Sequence, residues 1–194
     1  MPKRYAVAAL CFLLLSLTPS LAQQSDAPPA TLDVKWPKVE GWELIDPRPL
    51  PKESGPGAYS VAYGSRAPHI TVTVYVYNRG LARIPDDLTD PAVRREFDGS
   101  REAIREAQRR GMYQEATEEE SKPATLGLSD AGANALYTRF RLKIQDRQTV
   151  SELYVLPHKN HFVKVRITRM AEPDKNATAQ LDRLYTELNK LLKP

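Results

Sequence analysis

Between Asn134 and Met170 the chain alternates apolar and polar side chains in three successive runs, Ala135–Gln145, Thr149–Leu156 and His161–Met170, joined by short polar turns. A period of two puts neighbouring side chains on opposite faces of a strand, so each run predicts a strand with one buried and one wet face. Together they predict an antiparallel meander that the rest of the chain covers or extends. A second strand pair is expected at Ala58–Gly64 and His69–Tyr77, turning through Ser65–Pro68. In the latter strand Ile70, Val72, Val74 and Val76 point one way, and Thr71, Thr73, Tyr75 and Tyr77 the other. β-Branched residues on both faces mark a strand of the sheet interior, and its mixed second face is expected to be covered as well.

The period changes to three and four in two other stretches. Asp90-Pro91 pairs an N-cap aspartate with proline at the first helical position, predicting a helix over Pro91–Arg110 that stops at Gly111. Val93, Phe97, Ile104 and Ala107 form its apolar stripe. Arg94, Asp98, Arg101, Glu102, Arg105, Glu106, Arg109 and Arg110 lie opposite. Spacings such as Arg94–Asp98 and Glu106–Arg110 favour a solvated, salt-bridged face over an anion-binding one. A closing helix over Asn176–Lys193 carries Leu181, Leu184, Tyr185, Leu188, Leu191 and Leu192 on one side. Asn176-Ala177-Thr178 matches a glycan acceptor, but it falls at the helix start, where Asn176 is read as the N-cap.

The remaining segments are polar or broken. Tyr113–Lys122 holds Glu115, Glu118, Glu119 and Glu120. A calcium loop needs a glycine turn that this run lacks, so it is read as a charged edge strand, which Lys122–Leu128 continues before a small-residue loop at Ser129–Ala133. Asp46–Gly57, with Pro47, Pro49, Pro51 and Pro56, is a loop by composition. Trp36, Trp42, Leu44 and Ile45 predict an N-terminal arm or short strand pair. Its tryptophans are expected to pin the arm to the core rather than to stack on a ligand.

Ahead of all this, Lys3 and Arg4 precede an apolar run from Ala6 to Leu17, and Ser20-Leu21-Ala22 supplies small residues for cleavage. That is the anatomy of an export signal cut after Ala22, and Pro19 ends the run short of a membrane span. The expected organisation is therefore a signal peptide at 1–22, a flexible tether at 23–31 and a single α+β domain at 32–194. The expected location is periplasmic or secreted. Cys11, the one cysteine, lies within the leader, so disulfides, thiolate metal sites and cysteine nucleophiles are excluded from the remainder. The leader also holds two positive charges of the net +4, leaving +2 from Gln23 onward. No basic block stands out, which argues against nucleic acid as a partner.

Candidate chemistry is sparse. His158 and His161 flank Lys159-Asn160 in the last hairpin turn and are the one metal candidate. The only other histidine, His69, is distant in sequence, so exposed turn histidines without a metal are expected. There is no glycine elbow around a serine, no phosphate-cradling loop and no dinucleotide fingerprint. No catalytic residue and no cofactor are assigned.

The residues His69–Gly80 (HITVTVYVYNRG), the capped helix after Asp90, Asn160–Thr168 (NHFVKVRIT) and the terminal leucine helix give an element order. That order resembles the PsbP/Mog1/DcrB-like group. The resemblance implies an α/β/α sandwich with a central antiparallel sheet. It also implies a non-enzymatic exported or lumenal accessory protein that binds a partner protein, in some members with a metal; no functional residue carries over. The leading reading is an exported binding or accessory protein whose partner is another envelope protein. The alternatives are a small-ligand carrier, its pocket between sheet and helix lined by Tyr75, Tyr77, Tyr137 and Tyr154, and a hydrolase whose residues converge only in three dimensions.

Overall fold

The computed structural model describes Leu32 and residues 34–67, 69–172 and 174–193. The expected leader with its cut after Ala22, Cys11, the tether at 23–31, Pro68 and Pro173 lie outside the described residues. Within them, seven strands form one antiparallel sheet: β1 (Glu43–Pro49), β2 (Tyr59–Ser65), β3 (Ile70–Tyr77), β4 (Glu115–Thr125), β5 (Asn134–Ile144), β6 (Arg147–His158) and β7 (His161–Met170). Helix α1 (Pro91–Arg109) lies on one face and α2 (Lys175–Leu192) on the other, an α+β sandwich. No helix among the described residues is long and apolar enough to cross a membrane.

The spatial order is β1-β2-β3-β7-β6-β5-β4. Two meanders thus meet at a central β3–β7 seam, where all eight residues of β3 pair with Phe162–Arg169. The β5–β6 and β6–β7 hairpins each turn on two residues with positive φ, Gln145-Asp146 and Lys159-Asn160, the geometry that suits the twist of the flanking strands. On the α2 side the seam presents Val72, Val74, Val76, Val163, Val165 and Ile167, all buried, to Leu181, Leu184, Leu188 and Leu192. Burial on this scale is worth on the order of 10 kcal/mol gross, comparable to the net stability of a domain.

Polar side chains fix where α2 sits. The Gln180 carbonyl accepts from Trp42 Nε1 at 3.1 Å. Its side chain accepts from Ser65 Oγ at 2.6 Å and donates to the Ala67 carbonyl at 3.0 Å. One helix end is thereby tied to the arm and to the β2–β3 turn. Toward the other end, Asn189 accepts from Ala133 N at 2.8 Å and donates to the Leu126 carbonyl at 2.9 Å. Gly127 in the same β4–β5 loop has φ +100°, and a Cβ there would lie 2.9 Å from Tyr185, so the loop reaches α2 only with glycine. Trp36 and Trp42 are buried and meet Tyr59 and Tyr63 edge-on, pinning the arm as expected.

Three details depart from the sequence reading. Asp46–Pro49 is strand rather than loop. β1 is an edge, where prolines cost no ladder donor on the open side, and a bulge between Ile45 and Arg48 absorbs Asp46-Pro47. The cap of α2 is Asp174, which accepts from Asn176 N at 2.8 Å and Ala177 N at 3.4 Å; Asn176 sits inside the first turn. On α1, Asp98 pairs with Arg101 at 2.9 Å rather than with Arg94, while Glu106–Arg110 forms at 2.8 Å. The caps at Asp90 and Gly111 are as expected.

The acidic run on β4 is an ion-pair ladder. Glu119 reaches Arg139 and Arg141, and Glu120 reaches Lys122. Glu118, turned toward α1, accepts from Arg101 at 2.7 Å and also pairs with Arg105. Burial pushes the Glu118 carboxyl up. Hydrogen bonds from Arg101 and Thr138, with the charges of Arg101 and Arg105, outweigh this and hold it below the usual range.

Two outcomes are expected. Leu188→Ala lowers unfolding free energy by about 3 kcal/mol in thermal melts and Leu188→Asp fails to fold, whereas exposed Arg183→Ala shifts it by less than about 0.5 kcal/mol. An unshifted melt for Leu188→Ala would remove α2 from the core. A carboxyl depressed by folding adds stability above its unfolded pKa near ~4.3 and loses it as pH falls through the folded value. Glu118→Gln is therefore expected to cost about 1 kcal/mol at neutral pH, with the gap to the parent closing in acid. A gap that stays constant would contradict the assignment.

Candidate functional site

The two faces of the sheet are covered unequally. Helix α1 spans β4 to β6, burying Phe140 and Leu142 at one end and Leu136, Leu153, Val155 and Phe162 at the other. Beyond it, the same face of β1, β2, β3 and β7 is left uncovered by the described residues. Ser60, Ala62, Gly64, Thr73, Tyr75, Lys164, Arg166 and Thr168 are half-buried there, and Thr71 is exposed. This corrects the expectation that the second face of β3 would be covered. Only its end is, at Tyr77.

Register aligns this surface in rows. Arg48, Ser60, Tyr75 and Lys164 are successive partners across β1, β2, β3 and β7; Ile45, Ala62, Thr73 and Arg166 form the next row. Lys164 Nζ lies 4.8 Å from the Tyr75 ring centre and 5.3 Å from that of Tyr77, a double cation–π contact. Burial lowers the Lys164 ammonium below the usual lysine range. The Glu96 carboxylate opposes this, while the charges of Arg79 and Arg166 add to it. Arg166 donates to Ser151 Oγ at 3.0 Å and to Tyr113 OH at 2.8 Å. Glu96, the acid on the adjoining wall of α1, is already taken: Tyr77 OH donates to it at 2.7 Å, and Arg79 does so twice at 3.0 Å.

The four tyrosines expected to line one pocket divide between the faces. Tyr75 and Tyr77 lie on the α1 side. Tyr137 and Tyr154 lie on the α2 side, their ring centres 4.9 Å apart, with Tyr185 of α2 a further 6.2 Å from Tyr154. The alternation of β3 relative to β6 sets this division. Beside the second group a cavity of about 300 Å3 opens under the first turns of α2, bordered by Arg139, Glu152, Tyr154, Arg169 and Tyr185. Both arginines are ion-paired, although the Nε of each is buried without a hydrogen-bond partner. Glu152 accepts from Tyr137 OH at 3.2 Å and pairs with Arg169 at 3.6 Å, and Glu119 pairs with Arg139 at 3.0 Å. Burial first, then the charge of Glu152, pushes the Tyr154 phenol up to about 12. It stays protonated at neutral pH.

His158 and His161 face each other across the β6–β7 turn and are buried, at 5% and 4% exposure, not exposed as expected. The cause is Asn160 between them. It donates to the Ala82 carbonyl at 2.9 Å and accepts from Ile84 N, drawing the β3–α1 loop over the turn. His161 Nδ1 lies 2.9 Å from the Lys159 carbonyl and donates to it. Among the described residues no three His, Cys, Asp or Glu side chains converge as a metal-donor set. His158 borders an open groove of about 690 Å3 that also includes Asp86 and Asp130. Burial and the Lys159 charge hold its pKa below the usual histidine value, against the opposing pull of Asp86.

A base depressed in the fold destabilises it as pH falls, because the unfolded chain takes up the proton more readily. Melting temperature is expected to drop as pH decreases below ~6.5, and His158→Gln to flatten that part of the profile. Parallel profiles for parent and variant would refute the role of His158.

No protein-family model matches the chain, and no curated protein matches it. Among solved structures, the chain is similar to cyanobacterial PsbP (CyanoP) from Synechocystis sp. PCC 6803, determined in solution. The TM-score is 0.43 and the identity 15%, over 76% of this chain and 81% of that one.

Proposed function

We propose that the chain is an exported, non-enzymatic binding protein that meets a protein partner through the uncovered half of the sheet. The observation that carries this reading is the asymmetry of cover. Helix α2 and the N-terminal arm occupy the β3–β7 seam on one side, whereas on the other α1 covers only its Tyr77–Phe162 end. A central strand pair is the most rigid part of a sheet, and a surface built on it is preorganised for docking. The apolar run Ala6–Leu17 with small residues up to Ala22 supports export, hence a periplasmic or secreted site of action.

The small-ligand carrier is the second reading, favoured by the cavity beneath α2. At about 300 Å3 that cavity lies at the lower limit for small-molecule sites, and its two arginines are already ion-paired, Arg169 with Glu152 and Arg139 with Glu119. A photo-crosslinking side chain placed at Thr73 on the open face, or at exposed Asp182 on the outer side of α2, separates the readings in intact cells. A protein adduct from Thr73 and none from Asp182 is expected. Adducts in equal yield from both, or none from Thr73, would sink the proposal.

A further inference from the structure

We propose that the uncovered sheet face receives an extended acidic polypeptide segment of the partner, an inference that rests on the reading of the chain as a binding protein. The face carries Arg48, Lys164 and Arg166, and none of them forms an ion pair with a carboxylate among the described residues. The other exposed arginines show the contrast. Those along α1 that reach Asp98, Glu102, Glu106 and Glu118 are neutralised within the fold. Of the acids beside this face, Glu96 on the wall of α1 is engaged by Arg79 and Tyr77, and Glu43, at the far end of the β1 edge, pairs with Arg66 at 3.9 Å. Three cations are therefore left without a carboxylate partner on this one face, although the chain from Gln23 onward is only +2 overall.

Spacing identifies the occupant. Arg48 and Lys164 stand at the two ends of one register row, three strand intervals apart. At ~4.8 Å per interval that is about 14 Å, and an extended peptide rising ~3.3 Å per residue covers it in about four residues. A single phosphate or carboxylate reaches one of these cations, not both. Between them β2 contributes the small side chain of Ser60, and Ala62 and Gly64 follow in the neighbouring rows with open space above Gly64, so a peptide backbone can lie close to the sheet. Tyr75 lies between the two charges and offers a ring to pack against. Its phenyl face already holds Lys164 in place.

The test uses the full chain after leader removal and a fluorescent dozen-residue peptide with glutamate at every fourth position, alongside a twin with lysine in those places. Anisotropy at low salt is expected to show binding of the acidic peptide and not of its twin. Arg48→Glu and Lys164→Gln are each expected to weaken it about two- to fivefold, the scale of one screened ion pair. Exposed Arg95→Glu on α1 should leave it unchanged, with circular dichroism reporting that each variant is folded. Equal binding of the lysine twin, or variants at Arg48 and Lys164 that bind like the parent, would overturn the proposal. So would displacement by an equal concentration of inorganic phosphate, which would reassign the face to small anions. If Thr73 still crosslinks to a protein while the acidic peptide fails to bind, the chemistry assigned to the partner falls and the binding function stands.

Discussion

Pairing of β3 with β7 is the joint on which the molecule depends. Each meander on its own is a local structure with short turns, and only this seam joins them into one sheet. Its two sides differ in kind. Toward α2 it is a dry ridge of valines and isoleucine under a leucine-lined helix. Toward α1 it is a row of threonines, Tyr75, Lys164 and Arg166. Strict alternation along both strands makes the first impossible without the second, since every apolar residue turned to α2 forces its neighbour to the other face. Stability and the candidate docking surface are thus two faces of the same sixteen-odd residues.

The seam is also the most distant pairing in sequence. β3 ends at Tyr77 and β7 begins at His161, with α1 and three strands in between. Contacts of such separation are paid for in loop-closure entropy before any burial rewards them, so the sheet is expected to close late in folding. Helix α2 follows β7 directly and docks across both meanders through Gln180 and Asn189, which locks the joint once it has formed.

Much of this was legible before any coordinates. Period two located β2, β3, β5, β6 and β7 to within a few residues, and Asp90-Pro91 with Gly111 bounded α1, because these signals are local. What failed was what depends on neighbours. Proline content made Asp46–Pro49 look like a loop, since composition does not reveal that a strand is an edge. Asn176 was read as the cap although Asp174, two residues earlier, fills that place, because only geometry shows which side chain meets the free amides. The tyrosines were grouped by type, but their faces follow from register between strands far apart in sequence. For the same reason the cationic patch was missed: positions 48, 164 and 166 form no block along the chain. The turn histidines were expected in solvent because nothing local shows that Asn160 fastens a remote loop over them.

The two borders of the sheet are both blunted. At β1 a bulge and two prolines interrupt the outer line of hydrogen-bonding groups. At β4 a bulge between Glu118 and Glu120 bends the strand, and the glutamates beside it carry charge to the rim. Copies of this chain are therefore poorly equipped to zip together border to border, even when crowded. Any visitor is left with a lateral approach onto the flat of the sheet. Contacts made that way rest on side chains and charge, so they remain reversible and respond to ionic strength, where an added strand would commit the backbone itself.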